Sequence, residues 1–299
     1  MSRYLVTGGA GRLGRSVVAV LAQACHDVIS VDRAPHDPGR ARLLTCDLLD
    51  ATATAELFAE VRPDSVVHLA AIAVPFGRPD TELYATNTGL AFNVLEAALS
   101  SEVSSLLFAS SPTVIGYGAP RGWEPAYLPL DERHPLAPWN AYALSKQAVE
   151  GIAAMAVRAH GDRLRIGAFR PCYVIAPEEW AGALTQQGHT VMDRLDQPEL
   201  SAVALFNYVD ARDVGDFVLA WIERAGDIPN GSTFFVGAPD SLAREPIAEL
   251  LARHRPELAV AARGLADDAA VFSSEYAERV LGWRASRTWR TELALDGVS

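Results

Sequence analysis

Tyr142 and Lys146 lie four positions apart, and they are the residues of this chain best suited to acid–base chemistry. Leu144, Ala148 and Ile152 recur at helical spacing in the same segment, which predicts a helix. The tyrosine and the lysine then lie one turn apart on one face. A phenol has a pKa of about 10, but a nearby ammonium stabilises the phenolate and lowers that pKa. Such a pair can exchange a proton with a substrate hydroxyl, whereas an exposed helical pair without chemistry has the same spacing.

Three glycines, Gly8, Gly11 and Gly14, follow the first apolar run of the chain. At this spacing the first permits a tight turn, the second lets the backbone approach a pyrophosphate, and the third lets the next helix pack closely on the strand. The amino terminus of that helix adds partial positive charge. The turn therefore predicts a dinucleotide site, although an ordinary strand-to-helix turn can carry the same glycines.

Asp32 ends the second predicted strand, where such sites place an acid that binds the adenosine ribose hydroxyls. A carboxylate repels a 2′-phosphate, so NAD is the expected cofactor. Arg33 follows directly, and its guanidinium could pair with that phosphate, which leaves NADP open. A solvated acid at a strand end is the alternative interpretation of Asp32.

Short β-branched runs alternate with helical patterns along most of the chain. The runs that predict strands are residues 4–7, 28–31, 42–46, 65–69, 105–109, 164–169 and 232–236. This alternation predicts an α/β fold with a doubly wound parallel sheet of the Rossmann type. Proline and glycine concentrate in 116–138, which predicts an irregular loop beyond a strand end, where such sheets place substrate chemistry.

The sequence also predicts irregular structure for a second region, 177–200, and we assign this region to a small substrate lobe. The predicted division is a nucleotide-binding domain formed by 1–176 and 206–238, and a C-terminal substrate lobe formed by 177–205 and 239–299. A chain of 299 residues is long enough for both.

Composition limits the class of partner. The net charge of −11, with no basic stripe, argues against nucleic acid. No apolar run approaches the roughly 20 residues of a membrane helix, and no signal peptide is apparent, so we expect a cytoplasmic protein. The three cysteines form no CxxC pair and the histidines do not cluster, so we expect no metal site. A small-molecule substrate is the remaining expectation.

Several further motifs together resemble the extended short-chain dehydrogenase/reductase family, which includes NAD-dependent sugar epimerases and dehydratases. They are the glycine turn, Asp47-Leu48, His68-Leu69-Ala70-Ala71, Asn87, the run from Ser110 to Gly116, and the Tyr142/Lys146 pair. The match covers roughly residues 1–175 and returns at 209–214 and 281–283.

The resemblance implies a role for each matching residue. Tyr142 is the acid/base, Lys146 grips the nicotinamide ribose and tunes Tyr142, and Ser111 hydrogen-bonds the reacting oxygen, with Ser110 and Thr113 as weaker candidates. The residues assigned to cofactor binding are Gly8, Gly11, Arg12, Leu13, Gly14, Asp32, Arg33, Asp47, Leu48, Ala70, Ala71, Asn87, Tyr142, Lys146, Pro171 and Val174. Substrate contacts fall to Ser111, Thr113 and Tyr173. For the apolar positions, plain packing at a strand end is the alternative. Family members commonly pair through the helices that hold Asn87 and Tyr142, so we expect a homodimer.

Two departures from the family pattern bear on the substrate. Tyr173 stands where the sugar-nucleotide enzymes have an asparagine, and Phe206 where they carry an arginine that helps bind a diphosphate. Between 177 and 205 the only positive side chains are Arg194 and His189. Because a diphosphate needs donors and positive charge, the sequence favours a free substrate such as a sugar or a uronate.

The resulting expectation is an NAD-dependent dehydrogenase or reductase, in which Tyr142 deprotonates the hydroxyl of a carbon that gives up hydride. An NAD-dependent sugar-nucleotide epimerase or dehydratase is the alternative from the same fold. A non-catalytic protein that senses NAD(P) is the alternative from another class.

Overall fold

Seven parallel strands form one sheet at the centre of the computed structural model, which describes residues 2–293. The strands of the protein are β1 (Arg3–Thr7), β2 (Asp27–Asp32), β3 (Arg42–Thr45), β4 (Ser65–His68), β5 (Ser105–Ala109), β6 (Arg165–Pro171), β7 (Val174–Ile175), β8 (Val209–Asp210) and β9 (Thr233–Val236). The sheet order is β3-β2-β1-β4-β5-β6-β9, while β7 and β8 form a separate short parallel ladder. The predicted doubly wound sheet is confirmed.

Helices connect the strands and continue into the C-terminal part. They are α1 (Arg12–Gln23), α2 (Ala51–Val61), α3 (Asp80–Ser100), α4 (Ala141–His160), α5 (Pro177–Trp180), α6 (Val191–Asp196), α7 (Glu199–Ala202), α8 (Ala211–Arg224), α9 (Ile247–His254), α10 (Glu275–Leu281) and α11 (Trp289–Glu292). The predicted loop at 116–138 contains neither helix nor strand, apart from a single bridge between Leu130 and Phe272.

Both faces of the sheet are covered. Helices α1 and α8 pack together on one face, and α2, α3 and α4 pack on the other. Successive residues of a strand point to opposite faces, so Leu5 belongs to the core under α2–α4 and Val6 to the core under α1 and α8. Burial on both sides explains why the strands read as continuous apolar runs.

Three short helices, α5, α6 and α7, occupy the region that the sequence indicated as irregular. They have 4, 6 and 4 residues, which is too short for helical periodicity to show in a sequence. Helices α5 and α6 contribute to a third core, which contains Ile175, Trp180, Leu195, Tyr208 and Trp289, whereas Ala202 of α7 belongs to the core under α1 and α8. Within residues 2–293, no helix is long and apolar enough to cross a membrane.

The last described residues run back across the molecule and are fixed by buried acids. Arg287 pairs with Asp213 of α8 at 2.5 Å, and the backbone N–H of Arg287 donates to the same carboxylate at 2.9 Å. Arg290 pairs with Asp240, which also accepts a hydrogen bond from the hydroxyl of Tyr208. This C-terminal segment, called the tail below (residues 283–292), is therefore bonded both to α8, which packs on the sheet, and to Asp240 of the predicted lobe.

Candidate active site

One cavity of about 1220 Å³ opens at the carboxyl ends of the parallel strands. Among the residues that line it are Gly8, Gly11, Arg12, Leu13, Gly14, Asp32, Arg33, Asp47, Leu48, Ala70, Ala71, Ser111, Thr113, Tyr142, Lys146, Pro171, Tyr173 and Val174. The structure thus brings together every residue that the sequence assigned to the site except Asn87. The individual roles of these residues remain predictions.

The glycine turn has the geometry that a dinucleotide requires. Gly8 has a φ of +73°, and a Cβ there would lie 2.7 Å from the backbone nitrogen of Ala70. A Cβ at Gly14 would lie 2.1 Å from the carbonyl oxygen of Gly8, so α1 can approach the turn only through a glycine. These positions leave a cradle of backbone at the start of α1, and the residues present fit a pyrophosphate.

Asp32 is fixed at the end of β2 by two backbone hydrogen bonds. Its Oδ2 accepts from the N–H of Ala10 at 3.0 Å, and its Oδ1 accepts from the N–H of Arg33 at 2.7 Å. The carboxylate is therefore held beside the glycine turn. This is the place where an acid meets the ribose hydroxyls of NAD.

Tyr142 and Lys146 begin α4, which Asn140 caps by accepting from the N–H of Ala143 at 2.9 Å. The Nζ of Lys146 lies 5.9 Å from the centre of the Tyr142 ring and donates to the carbonyl oxygen of Ala109 at 2.8 Å. Burial lowers the pKa of Lys146 to about 8. The predicted helical pair is thus directed into the protein at the end of β5.

The pKa of Tyr142 differs from the expectation drawn from the sequence. Burial raises this pKa above its ordinary value, and a hydrogen bond with Ser111 acts in the opposite direction. The predicted lowering by the ammonium is therefore not the dominant effect, because removal of the phenol from water disfavours the phenolate more strongly. Proton transfer at Tyr142 consequently depends on groups that stabilise a negative charge on its oxygen.

Ser110 and Ser111 both line the cavity, but their hydroxyls have different partners. The hydroxyl of Thr113 donates to Ser111 Oγ at 2.9 Å, whereas that of Ser110 donates to Glu150 Oε1 at 2.6 Å. The Ser110 hydroxyl is therefore engaged elsewhere. This placement favours Ser111 as the group that would hydrogen-bond a reacting oxygen.

A buried ion pair supports this arrangement from behind. Arg170 at the end of β6 donates to both carboxylate oxygens of Glu150, each at 2.8 Å, and their side chains are only 3% and 10% exposed. Glu150 lies one helical turn beyond Lys146, and it also accepts from Ser110. The pair consequently ties α4 to the ends of β5 and β6.

Asn87 lies behind the cavity wall and does not line it. Its Oδ1 accepts from the N–H of Ile72 at 2.8 Å, and its Nδ2 donates to the hydroxyl of Ser145 at 3.0 Å. Because Ile72 lines the cavity, Asn87 holds one wall of the site against α4.

The cavity also contains residues that the sequence analysis did not assign. His254 and Arg255 reach it from the end of α9, far along the chain from the predicted site. Phe76 also lines it, with its ring centre 5.9 Å from that of Trp139. No motif in the sequence identifies His254 or Arg255, since their position depends on how the C-terminal part of the chain packs in the folded protein.

Arg12 connects the glycine turn to the lobe. It forms an ion pair with Glu179, which is buried in α5 and also accepts from the N–H of Ala176 at 2.6 Å. Among residues 2–293, no group of three or more histidine, cysteine, aspartate or glutamate side chains could hold a metal ion.

The fold and the site define a dinucleotide-dependent α/β enzyme. The sequence profile of the NAD dependent epimerase/dehydratase family matches residues 4–237. The chain belongs to this family, and its cofactor is NAD.

Several relatives are enzymes. The chain is 27% identical over 315 residues to a UDP-glucose 4-epimerase of Corynebacterium glutamicum, covering 96% of this chain and 92% of that protein. It is 33% identical over 164 residues to a UDP-glucose 4-epimerase of Lacticaseibacillus casei, covering 52% of this chain and 47% of that protein.

The fold recurs in solved structures. A UDP-glucose 4-epimerase from Brucella ovis, in complex with NAD, has a TM-score of 0.74 at 19% identity, covering 98% of this chain and 96% of that one. A short-chain dehydrogenase/reductase superfamily protein from Agrobacterium tumefaciens, with bound NAD, has a TM-score of 0.71 at 23% identity, covering 98% of this chain and 95% of that one.

Proposed function

We propose that this protein is an NAD-dependent epimerase that inverts a hydroxyl-bearing carbon of a sugar nucleotide. The observation that carries the proposal is a continuous cavity of about 1220 Å³, which extends from the glycine turn past Tyr142 to Arg255. Sites for one drug-sized ligand have volumes of roughly 300–1,000 Å³, so this cavity has room for NAD and a second large ligand. The UDP-glucose 4-epimerases among the relatives support the same substrate class.

This proposal reverses the order of the two hypotheses drawn from the sequence. That order depended on Phe206 and on the few positive side chains between 177 and 205. In the folded protein Phe206 is fully buried, and His254 and Arg255 line the cavity from outside that range, with Arg255 paired to Glu257 at 2.6 Å. A count of basic residues in one segment therefore does not describe the whole cavity, which basic residues from several segments line.

NAD, when bound, supplies a reversible acceptor for the hydride of the substrate carbon. The side chains of this chain supply the rest. Tyr142 Oη takes the proton of the substrate hydroxyl as that carbon becomes a carbonyl, and returns it when the alcohol forms again. Ser111 donates a hydrogen bond to the same oxygen, and the Lys146 ammonium stabilises the negative charge on Tyr142. Inversion requires the substrate to present its other face, which a wide cavity permits.

The test is incubation of the purified protein with UDP-glucose and UDP-galactose in the presence of NAD. We expect the two to interconvert, as followed by chromatography, without net formation of NADH. Tyr142→Phe removes only the hydroxyl, and it should lower the rate by about 10²- to 10⁴-fold while NAD still binds.

The opposite result is also well defined. If UDP-sugars stay unchanged while free aldoses or uronic acids produce NADH, the protein is a dehydrogenase and the proposal fails. The same panel thus separates the two hypotheses in one experiment.

We also infer a homodimer formed through α3 and α4, which pack side by side. Their exposed surfaces carry Tyr84, Phe92, Leu144 and Met155, which are 36–46% exposed. Tyr84 and Phe92 lie two turns apart along one stripe of α3, as a helix-pairing surface requires. Light scattering should give twice the mass of one chain, and Phe92→Asp should give a monomer.

A further inference from the structure

Arg194 in α6 is a buried positive charge that has no acidic partner within residues 2–293. Its side chain is 1% exposed, and its Nε has no hydrogen-bond partner. Nη1 donates to the side-chain oxygen of Gln187, a neutral group. Burial lowers the pKa of Arg194. Tyr173 acts in the opposite direction, and no carboxylate contributes to the shift. Because a buried cation without a counter-charge is unfavourable, its retention needs an explanation.

Arg194 lies directly behind two residues that line the cavity. Its guanidinium carbon is 4.2 Å from the centre of the Tyr173 ring, and Gln187 accepts its hydrogen bond. The Tyr173 hydroxyl is buried and has no hydrogen-bond partner. The side-chain oxygen of Gln187 is occupied by Arg194, which leaves its amide nitrogen as the free polar end. Gln187 thus presents a donor to this corner of the cavity, and the positive charge of Arg194 lies directly behind it.

We propose that the corner formed by Arg194, Tyr173 and Gln187 binds an oxyanion of the substrate. The oxyanion is a diphosphate if the substrate is a sugar nucleotide, and a carboxylate if it is a uronic acid. The inference rests on the proposed function, since it assigns one part of the same substrate. It also explains how a phenylalanine can stand at position 206, where the sugar-nucleotide enzymes carry an arginine. In this protein Arg194 of α6 supplies the positive charge instead.

The most direct test gives Arg194 a carboxylate from the protein itself. Gln187→Glu keeps the size of the side chain and provides an internal partner for the buried guanidinium. Binding of UDP, measured by calorimetry, should weaken by about ten- to hundredfold, which corresponds to loss of a charge-assisted interaction. The melting temperature should stay the same or rise, because the buried charge becomes paired.

Gln186→Glu is the matched control. Gln186 also lines the cavity, so the variant adds the same charge one position away, without a hydrogen bond to Arg194. UDP binding should weaken by only about two- to threefold, as expected for an exposed charge. NAD affinity should be the same in both variants and in the parent.

The same titrations with glucuronate distinguish the source of the oxyanion. If only glucuronate binds, and Gln187→Glu abolishes that binding, the corner is confirmed as a carboxylate site while the sugar-nucleotide proposal fails. If UDP binds equally well to the parent and to both glutamate variants, the inference is wrong while the proposed function stands. Binding of neither probe to the parent overturns it as well.

Tyr173→Phe is a second variant that leaves Arg194 and its packing in place. It removes one hydroxyl from the corner, and the bound oxyanion should lose about tenfold in affinity. Unchanged affinity would exclude that hydroxyl from the proposed site.

Discussion

Lys146 is the only lysine among the 299 residues; the other 25 basic side chains of the Lys/Arg type are arginines. Burial lowers its pKa from 10.5 to about 8, a difference that corresponds to about 3 kcal/mol. A lysine whose pKa is lower in the folded state destabilises that state at pH values below about 8, where both states are protonated. The cost declines as the pH rises towards 10.5, because the folded state has already lost the proton.

Lys146→Met should therefore produce a more stable and inactive protein. At pH 7 we expect the variant to exceed the parent by about 3 kcal/mol in free energy of unfolding. At pH 10 the advantage should fall to about 1 kcal/mol. The lost hydrogen bond to the carbonyl oxygen of Ala109 affects both measurements, so the change between the two pH values isolates the charge.

Urea unfolding of the parent and the variant at both pH values, without added NAD, gives the four free energies required. Ser111→Ala is the control, because it keeps the lysine and should retain the pH dependence of the parent. The reasoning is refuted if the difference between Lys146→Met and the parent is the same at pH 7 and pH 10.

Three further predictions concern the cofactor, the ion pair and the hydroxyl. Asp32→Ser should weaken NAD binding by about tenfold and improve NADP binding, since Arg33 then meets a 2′-phosphate without a competing acid; fluorescence titration measures both. Glu150→Gln leaves Arg170 buried without its counter-charge and should cost about 3–5 kcal/mol in urea unfolding, and a loss below 1 kcal/mol would contradict the burial of the pair. Ser111→Ala should reduce kcat by about 10²- to 10³-fold with unchanged NAD affinity, and a normal kcat would exclude its role.

The strands were the part of the fold that the sequence predicted best. Val66 and Val67 point to opposite faces, and both are fully buried, so a parallel strand appears as an uninterrupted apolar run. The glycine turn could be predicted from the sequence equally well, because steric contacts at Gly8 and Gly14 restrict those two positions to glycine. Such local constraints can be read without knowledge of the tertiary structure.

The parts that could not be predicted depend on long-range packing. The choice of Ser111 over Ser110 depends on Glu150, which belongs to a different helix. His254 lines the cavity because α9 packs against α7, and the raised pKa of Tyr142 depends on its burial. A count of charges in one segment could therefore not decide the class of substrate.

The returning tail makes the sheet and the lobe difficult to separate. Asp213 belongs to the predicted nucleotide-binding domain, yet Arg287 and Ser286 of the predicted lobe provide its hydrogen bonds. Removing the tail would leave this acid buried without compensation, and would leave Asp240 with only the hydroxyl of Tyr208 as a partner among the described residues. Heating should consequently melt both regions in one calorimetric transition, and a chimaera that borrows the lobe of a relative would have to borrow residues 283–292 with it.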